Sequence, residues 1–101
     1  MFLINLKNIP NQSFNVSIND NDYHIAVKTI GGLSYMSVWV DNEILFYNQI
    51  CTPNNWVNPY NYVSTKGKLY FKCLDNEYPI YSNFGNTQKL LFLTPQEVEN
   101  A

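Results

Sequence analysis

Arginine is absent from the sequence of 101 residues, and charge of either sign is scarce. Charged residues make up 14% of the chain, whereas soluble domains average about 25%. Without arginine, the chain has no guanidinium fork to bind phosphates or guanine edges. Its net charge of −2 also gives no attraction for a polyanion. These absences argue against nucleic-acid binding.

Residue types that carry catalysis or bind metals are also few. His24 is the single histidine and has no recognisable nucleophile signature around it, so we expect an exposed or hydrogen-bonded strand residue. The two cysteines, Cys51 and Cys73, cannot build a disulfide framework and lack zinc-site spacing. We therefore expect reduced, buried thiols that serve in packing.

The acidic residues come in closely spaced pairs. Such pairs lack the longer array of oxygen ligands of a calcium loop and do not indicate the two carboxylates across a cleft that a glycosidase needs. Three of the pairs spaced i, i+2 fall where other signals predict a turn: Asp20 and Asp22, Asp41 and Glu43, Asp75 and Glu77. Turn chemistry explains them without a metal or a substrate. The sequence therefore predicts no catalytic residues, no metal site, no cofactor and no enzymatic activity.

Long apolar runs are missing as well. No segment approaches the roughly 18 apolar residues of a membrane-spanning helix. The first ten residues lack the basic start of a signal peptide. We expect one domain over residues 1–101 without membrane insertion. Residues 94–101 should form a short C-terminal turn or tail, because Thr94, Pro95 and Glu97 have the pattern of a helix start.

Alternating hydrophobicity is the clearest pattern that is present. Residues 23–28 and 35–40 alternate with a period of two, and Gly31-Gly32 lies between them. This pattern predicts two strands joined by a tight hairpin turn. A two-stranded hairpin is marginal alone, so it should be the centre of a larger sheet.

Further short strands are predicted at intervals of about ten residues, with turn signals between them. They cover residues 2–6, 13–18, 44–51, 68–74 and 87–93. The nearly continuous apolar character of 44–51 predicts a strand that is buried on both faces. The fold class is therefore all-β, a small antiparallel β-barrel or sandwich of about six to seven strands.

Two irregular segments, 52–62 and 79–85, hold large aromatic residues. The first contains two prolines and is predicted to be an ordered loop or single helical turn. The aromatic residues in question are Trp56, Tyr60, Tyr62, Tyr81 and Phe84. They cap the core, contact a protein partner, or stack on sugar rings. These five are the candidate partner-contact residues.

The order of the patterns, taken along the chain, resembles the cyanophage-type baseplate plug family of short phage tail proteins. The resemblance rests on QSFNVSI at 12–18, YHIAV at 23–27, YMSVWVD at 35–41 followed by Ile44-Leu45, and NFG at 83–85 before LLFL at 90–93.

This resemblance implies a structural protein of the virion, seated in the tail baseplate after assembly in the host cytoplasm. Its implied partners are other tail proteins (hub, tube or spike) in an assembly of several subunits, held by protein–protein packing. The alternative hypothesis is a small β-sandwich binding module that recognises a glycan or surface ligand through its loop aromatics. No set of residues in the sequence supports an enzymatic function.

Overall fold

Two antiparallel sheets of four strands each form the framework of the molecule. A computed structural model of the protein describes residues 1–59 and 67–100. Sheet I has the strand order β2-β3-β4-β5, and sheet II has the order β1-β8-β7-β6. The strands are β1 Phe2–Ile4, β2 Gln12–Ile18, β3 Asn21–Ile30, β4 Leu33–Val40, β5 Glu43–Ile50, β6 Asn55–Trp56, β7 Lys68–Cys73 and β8 Gln88–Leu93.

The predicted all-β class is confirmed, and the open arrangement of the described strands is that of a sandwich rather than a closed barrel. The described residues form eight strands, one more than the upper end of the predicted six to seven. This extra strand is β6, a two-residue piece within a segment that the sequence predicted to be a loop or helical turn. No helical turn occurs in residues 52–59.

The hairpin of β3 and β4 is the centre of sheet I, as its alternating pattern predicted. Gly31 and Gly32 have φ angles of 58° and 78°, and Ile30 pairs with Leu33 across them. Positive φ at both central positions defines the type I′ turn, whose twist matches that of the strands. The inward residues of β3 are Tyr23, Ile25 and Val27, and all three are buried.

The first member of each acid pair (Asp20, Asp41 and Asp75) lies in a turn, as expected. Asp41 has a φ of 51°, and its carboxylate accepts a hydrogen bond of 2.8 Å from the backbone N–H of Asp22. Asp75 accepts one hydrogen bond from the Glu77 backbone N–H (3.0 Å) and one from the Thr87 hydroxyl (2.8 Å). These two bonds stabilise the ionised form and lower the pKa of Asp75.

The core lies between the sheets and takes alternate residues from each. Sheet II contributes its fully buried side chains from β7 and β8: Leu69, Phe71, Leu90 and Phe92. Tyr23 of sheet I meets Phe92 of sheet II edge to face, with 5.3 Å between ring centroids. Each such side chain contributes about 1.5–3 kcal/mol by leaving water. The two sheets therefore depend on each other for stability.

Strand β5 corrects one prediction, because it is not buried on both faces. It is an outer strand of sheet I, and Ile44 and Tyr47 are exposed by 54% and 65%. Phe46 is the one buried residue of this strand. The register with β4 shifts near Val38, and Asn48 has a φ of 50°. A continuous apolar run suits a doubly buried strand, but here irregular pairing turns several of these residues outward.

The irregular segment 77–85 is fixed by buried polar side chains. Gln88 is fully buried, accepts a hydrogen bond from the Ile80 backbone N–H (2.8 Å), and donates to the carbonyls of Tyr78 (3.1 Å) and Glu77 (3.3 Å). The Ser34 hydroxyl donates to the Pro79 carbonyl at 2.7 Å. These bonds satisfy backbone groups that no strand ladder pairs.

The predicted helix start near the C-terminus is confirmed as the short helix α1, Pro95–Glu99. The Thr94 hydroxyl accepts a hydrogen bond from the Glu97 backbone N–H, and the Glu97 carboxylate accepts one from the Thr94 N–H. This reciprocal pair is a capping box, which satisfies two of the unpaired donors at a helix start.

Both cysteines are buried free thiols, as predicted. Burial and, to a smaller extent, the neighbouring Cys73 together raise the pKa of Cys51 to about 12. Burial also raises the pKa of Cys73. A thiol that stays protonated is a poor nucleophile and a poor metal ligand, so packing explains both residues.

Candidate functional site

The outer face of sheet II carries a continuous row of large side chains across all four strands. Leu3 of β1 pairs with Leu91 of β8, Leu91 pairs with Tyr70 of β7, and Tyr70 pairs with Trp56 of β6. Their sequence neighbours Ile4, Leu90 and Phe71 are buried, and successive residues of a strand point to opposite faces. The row therefore points away from the core, and we call this surface the outer row.

Trp56 is held in the outer row by its neighbours on β7. Its ring meets that of Tyr70 nearly at a right angle (77°), with 5.3 Å between centroids. The ammonium group of Lys68 lies 5.5 Å from the Trp56 centroid, a favourable distance for a cation–π contact. Trp56 is half-buried by these contacts, so it is a preordered side chain rather than a mobile one.

Asn54 positions this short strand because its side-chain amide makes the two backbone hydrogen bonds that a paired strand residue would make. Its side-chain amide donates to the Cys73 carbonyl at 3.0 Å, and its side-chain oxygen accepts from the Cys73 backbone N–H at 2.9 Å. The backbone N–H of Val57 donates to the Leu69 carbonyl at 2.8 Å. Bonds on both sides of Trp56 thus fix a strand of only two residues against β7.

The outer row borders two shallow grooves. One has a volume of about 360 Å³ and lies between Trp56, Tyr70, Leu91 and Leu93. The other, of about 390 Å³, lies between Leu3, Leu74, Lys89 and Leu91. Exposed apolar side chains in a concave surface are typical of places where another molecule packs.

The charged side chains at the outward positions of the strands of sheet II are all lysines, although the chain as a whole is weakly acidic. The outward positions of β7 and β8 include Lys68, Lys72 and Lys89. No acidic residue occupies an outward position on any of the four strands of sheet II. The outer row is therefore an apolar strip with basic borders.

The structure separates the candidate contact residues that it describes. Trp56 lies in the outer row. Tyr81 begins a 3₁₀ helix, Tyr81–Asn83, and is half-buried against the core. Phe84 is 2% exposed and packs on Phe71 at 5.7 Å between ring centroids. Tyr60 and Tyr62 lie outside the described residues.

Phe84 is thus a core residue, and this placement corresponds to the core-capping alternative. A side chain with 2% exposure presents almost no surface to a partner. Sequence reasoning missed Leu3, Tyr70 and Leu91 instead. The alternation within β7 places Tyr70 on the same face as Lys68 and Lys72, opposite Leu69 and Phe71, so its outward position could have been read from the sequence. The strand order that brings Tyr70 beside Trp56 and Leu91 could not.

The described residues contain no group of three or more potential metal-ligating side chains. His24 is a hydrogen-bonded strand residue, with its Nδ1 atom 2.7 Å from the Asn15 side-chain oxygen and its ring beside Trp39. Within residues 1–59 and 67–100, no helix has the length and apolar character needed to cross a bilayer.

Comparison with known proteins gives a family for this sandwich. A family model described as cyanophage baseplate Pam3 plug gp18 matches residues 1–95. The chain belongs to this family. Membership supports a structural role in a phage baseplate and, with it, association with other baseplate proteins. It also favours a non-enzymatic protein. No curated protein matches the chain.

Proposed function

We propose that this protein is a structural plug of a phage tail baseplate and packs against hub, tube or spike proteins through the outer row of sheet II. The observation that carries the proposal is the cross-strand row Leu3–Leu91–Tyr70–Trp56. It combines exposed apolar area, a rigid aromatic residue and a basic border on one face. Interfaces are enriched in aromatic residues, and a few anchored side chains carry most of their binding energy.

The proposed mechanism is protein–protein packing, with no catalytic step. Leu3 and Leu91 would lose water against an apolar ridge of the partner, and Trp56 would contribute a large surface without losing much conformational freedom. The lysine borders would favour a partner whose apolar ridge is flanked by carboxylates, because complementary charge fixes orientation and speeds encounter. In this proposal the protein is part of the virion tail after assembly in the host cytoplasm.

A matched pair of substitutions tests the proposal in the phage that encodes the chain. Leu3 and Ile44 are both aliphatic strand residues, exposed by 47% and 54%, on different sheets. We expect Leu3→Asp to reduce incorporation of the protein into purified tails by about tenfold or more, since it puts a charge into an apolar contact. Ile44→Asp should be incorporated like the wild type. Quantitative mass spectrometry of purified tails measures both.

Each alternative has a distinct outcome in the same experiment. Normal incorporation of Leu3→Asp would show that the outer row is not the packing surface. Absence of the wild-type chain from purified tails would reject the baseplate role itself. Binding of the purified wild type to a glycan array, lost in Trp56→Ala, would then favour the sugar-binding module.

A further inference from the structure

Strand β2 is an outer strand of sheet I whose free edge is regular, and the segment of residues 5–9 lies beside only its first residues. Ile18 and Asn21 flank the two-residue turn Asn19-Asp20, and flanking residues of such a turn form a hydrogen-bonded pair. Hydrogen-bonded and non-bonded pairs alternate along antiparallel strands. The even-numbered residues of β2 therefore bond to β3, and the odd-numbered ones direct their backbone groups away from it.

Hydrogen bonds on β3 agree with this assignment. Asp22 is paired with Ser17, but its carbonyl accepts from the Asp41 backbone N–H at 2.8 Å, on the far side of the strand. The backbone N–H of Thr29, of opposite parity, points to the near side and donates to the Asn11 side chain at 3.3 Å. Ser13, Asn15 and Ser17 thus present six backbone groups at the free edge.

These six groups have no hydrogen-bond partner within the part of the chain that the structure describes. The sequence of β2, QSFNVSI, contains no charged residue and no proline, and its register with β3 has no bulge. Charges, prolines and bulges are the usual devices that keep a sheet edge from pairing with another chain. The edge of β2 has none of them.

The other free edges differ. Strand β5 is irregular, with register shifts and a positive φ at Asn48. Strands β1 and β6 have three and two residues. The edge of β2 is therefore the longest regular edge among the described strands. Its inward residues Phe14 and Val16 are only partly buried against the core, so an added strand would cover them.

We propose that β2 pairs antiparallel with β2 of a second copy of this chain, about a two-fold axis at Asn15, to join the two copies of sheet I into one eight-stranded sheet. In this register Ser13 of each copy bonds with Ser17 of the other, and Asn15 bonds with its own counterpart. The pairing gives six backbone hydrogen bonds. Phe14 of each copy lies beside Val16 of the other, on the core side.

Charge at the two ends of β2 favours this antiparallel arrangement. Lys7 lies at the Gln12 end, where its backbone N–H donates to the Gln12 side chain at 2.9 Å. Asp20 lies at the Ile18 end, in the turn that follows the strand. The two-fold axis brings Lys7 of each copy beside Asp20 of the other. A parallel pairing would instead bring like charges together.

The size of the contact sets the expected affinity. One pair of seven-residue strands buries less than the roughly 800 Å² per partner of a standard interface. We therefore expect a weak dimer in free solution, with a Kd on the order of 100 μM.

Amide hydrogen exchange on the purified chain, followed by NMR from dilute to millimolar concentration, tests the pairing residue by residue. At low concentration Phe14 and Val16 amides should be protected, whereas those of Ser13, Asn15 and Ser17 exchange fast. As the dimer forms, the three odd-numbered amides should become protected. Sedimentation velocity at the same concentrations measures the dimer.

Two substitutions separate strand pairing from other contacts. Ser17→Pro removes an outward N–H, a place where an edge strand tolerates proline, and we expect it to weaken the dimer by about tenfold or more. Lys7→Glu should also weaken it, because it places two acidic groups together, whereas Lys89→Glu on sheet II should leave it unchanged. Circular dichroism checks that each variant remains folded.

The proposal is overturned if the wild type stays monomeric at millimolar concentration. It is equally overturned if a dimer forms while the odd-numbered amides stay unprotected, or if Ser17→Pro and Lys7→Glu dimerise like Lys89→Glu. The result is independent of the baseplate role, because the test uses the purified chain and a face that the outer row does not include.

Discussion

At the scale of single residues, asparagine and aspartate take the place that glycine has in many β proteins. The chain has four glycines. Among residues 1–59 and 67–100, seven non-glycine residues adopt positive φ, and all seven are Asn or Asp: Asn19, Asp20, Asp41, Asn42, Asn48, Asn54 and Asn76. These two residue types tolerate the left-handed region because their short polar side chains bond locally. The asparagine-rich composition is therefore a property of the turns as well as of the surface.

Gly67 is a position where no other residue fits. Its φ is +107°, and an added Cβ would lie 2.5 Å from the Leu93 carbonyl oxygen and 2.6 Å from the ring of Phe92. The chain enters β7 at this residue, in close contact with β8. Glycine here is required by both backbone conformation and space.

The buried thiol of Cys51 predicts a pH dependence of stability. Its pKa is about 12 in the folded protein against an ordinary value of 9.0. Below pH 9 the thiol is protonated in both states and its stabilising contribution is complete. Between pH 9 and about 12 the unfolded chain alone releases the proton, so the free energy of unfolding should fall by about 1.4 kcal/mol per pH unit.

Urea denaturation at several pH values from 8 to 11, compared between the wild type and Cys51→Ala, isolates this contribution from lysine and tyrosine titration. The wild type should lose more stability than the variant over this range. Equal slopes would show that the Cys51 proton is not held by the fold.

At the scale of elements, Gln88 joins the irregular segment 77–85 to sheet II. Gln88→Leu should lower the free energy of unfolding by about 2 kcal/mol, because it removes the part-buried hydrogen bonds of the Ile80 N–H and of two carbonyls. Gln12→Leu is a matched control. Gln12 also makes three bonds, to the backbone of Lys7 and Ile9, but it is only half-buried.

We expect Gln12→Leu to cost about 1 kcal/mol or less, since water can replace its partners. Thermal unfolding followed by circular dichroism measures both variants. A similar loss for the two would mean that burial does not set the cost of these bonds.

The elements that the sequence predicted well are those in which one face is clearly apolar and the turn residues are distinctive. The hairpin around Gly31-Gly32 and the capping box at Thr94 satisfy these conditions, and both are confirmed. Strand β5 does not, because its run of Ile44, Leu45, Phe46 and Tyr47 has no alternation to show which side is buried. The outcome there depends on an irregular pairing with β4 that local sequence does not encode.

The candidate site was less predictable for a related reason. Trp56 stands out in the sequence as a large aromatic in an irregular segment, but its companions Leu3, Tyr70 and Leu91 look like ordinary strand residues. They form a surface because the order of strands in sheet II brings them into one row. Strand order is set by contacts between distant parts of the chain, so it is not visible in any short stretch.

At the scale of the whole molecule, the two sheets present different kinds of surface. Sheet II presents side chains, through the outer row and its lysine borders, whereas sheet I presents backbone groups along the edge of β2. Side-chain surfaces select a partner by shape and charge, and backbone edges select an extended strand. A subunit with both could contact one neighbour by packing and a second copy by sheet extension at the same time.

The turn asparagines have one more consequence, for chemical durability. Asparagine is a thermolabile residue, because the backbone nitrogen of the following residue can attack its side-chain carbonyl. The attack is least hindered when glycine follows. None of the 16 asparagines in this chain precedes a glycine. The protein therefore uses asparagine for its tight turns without the Asn-Gly pairs that degrade fastest, which suits a structural component of a phage particle.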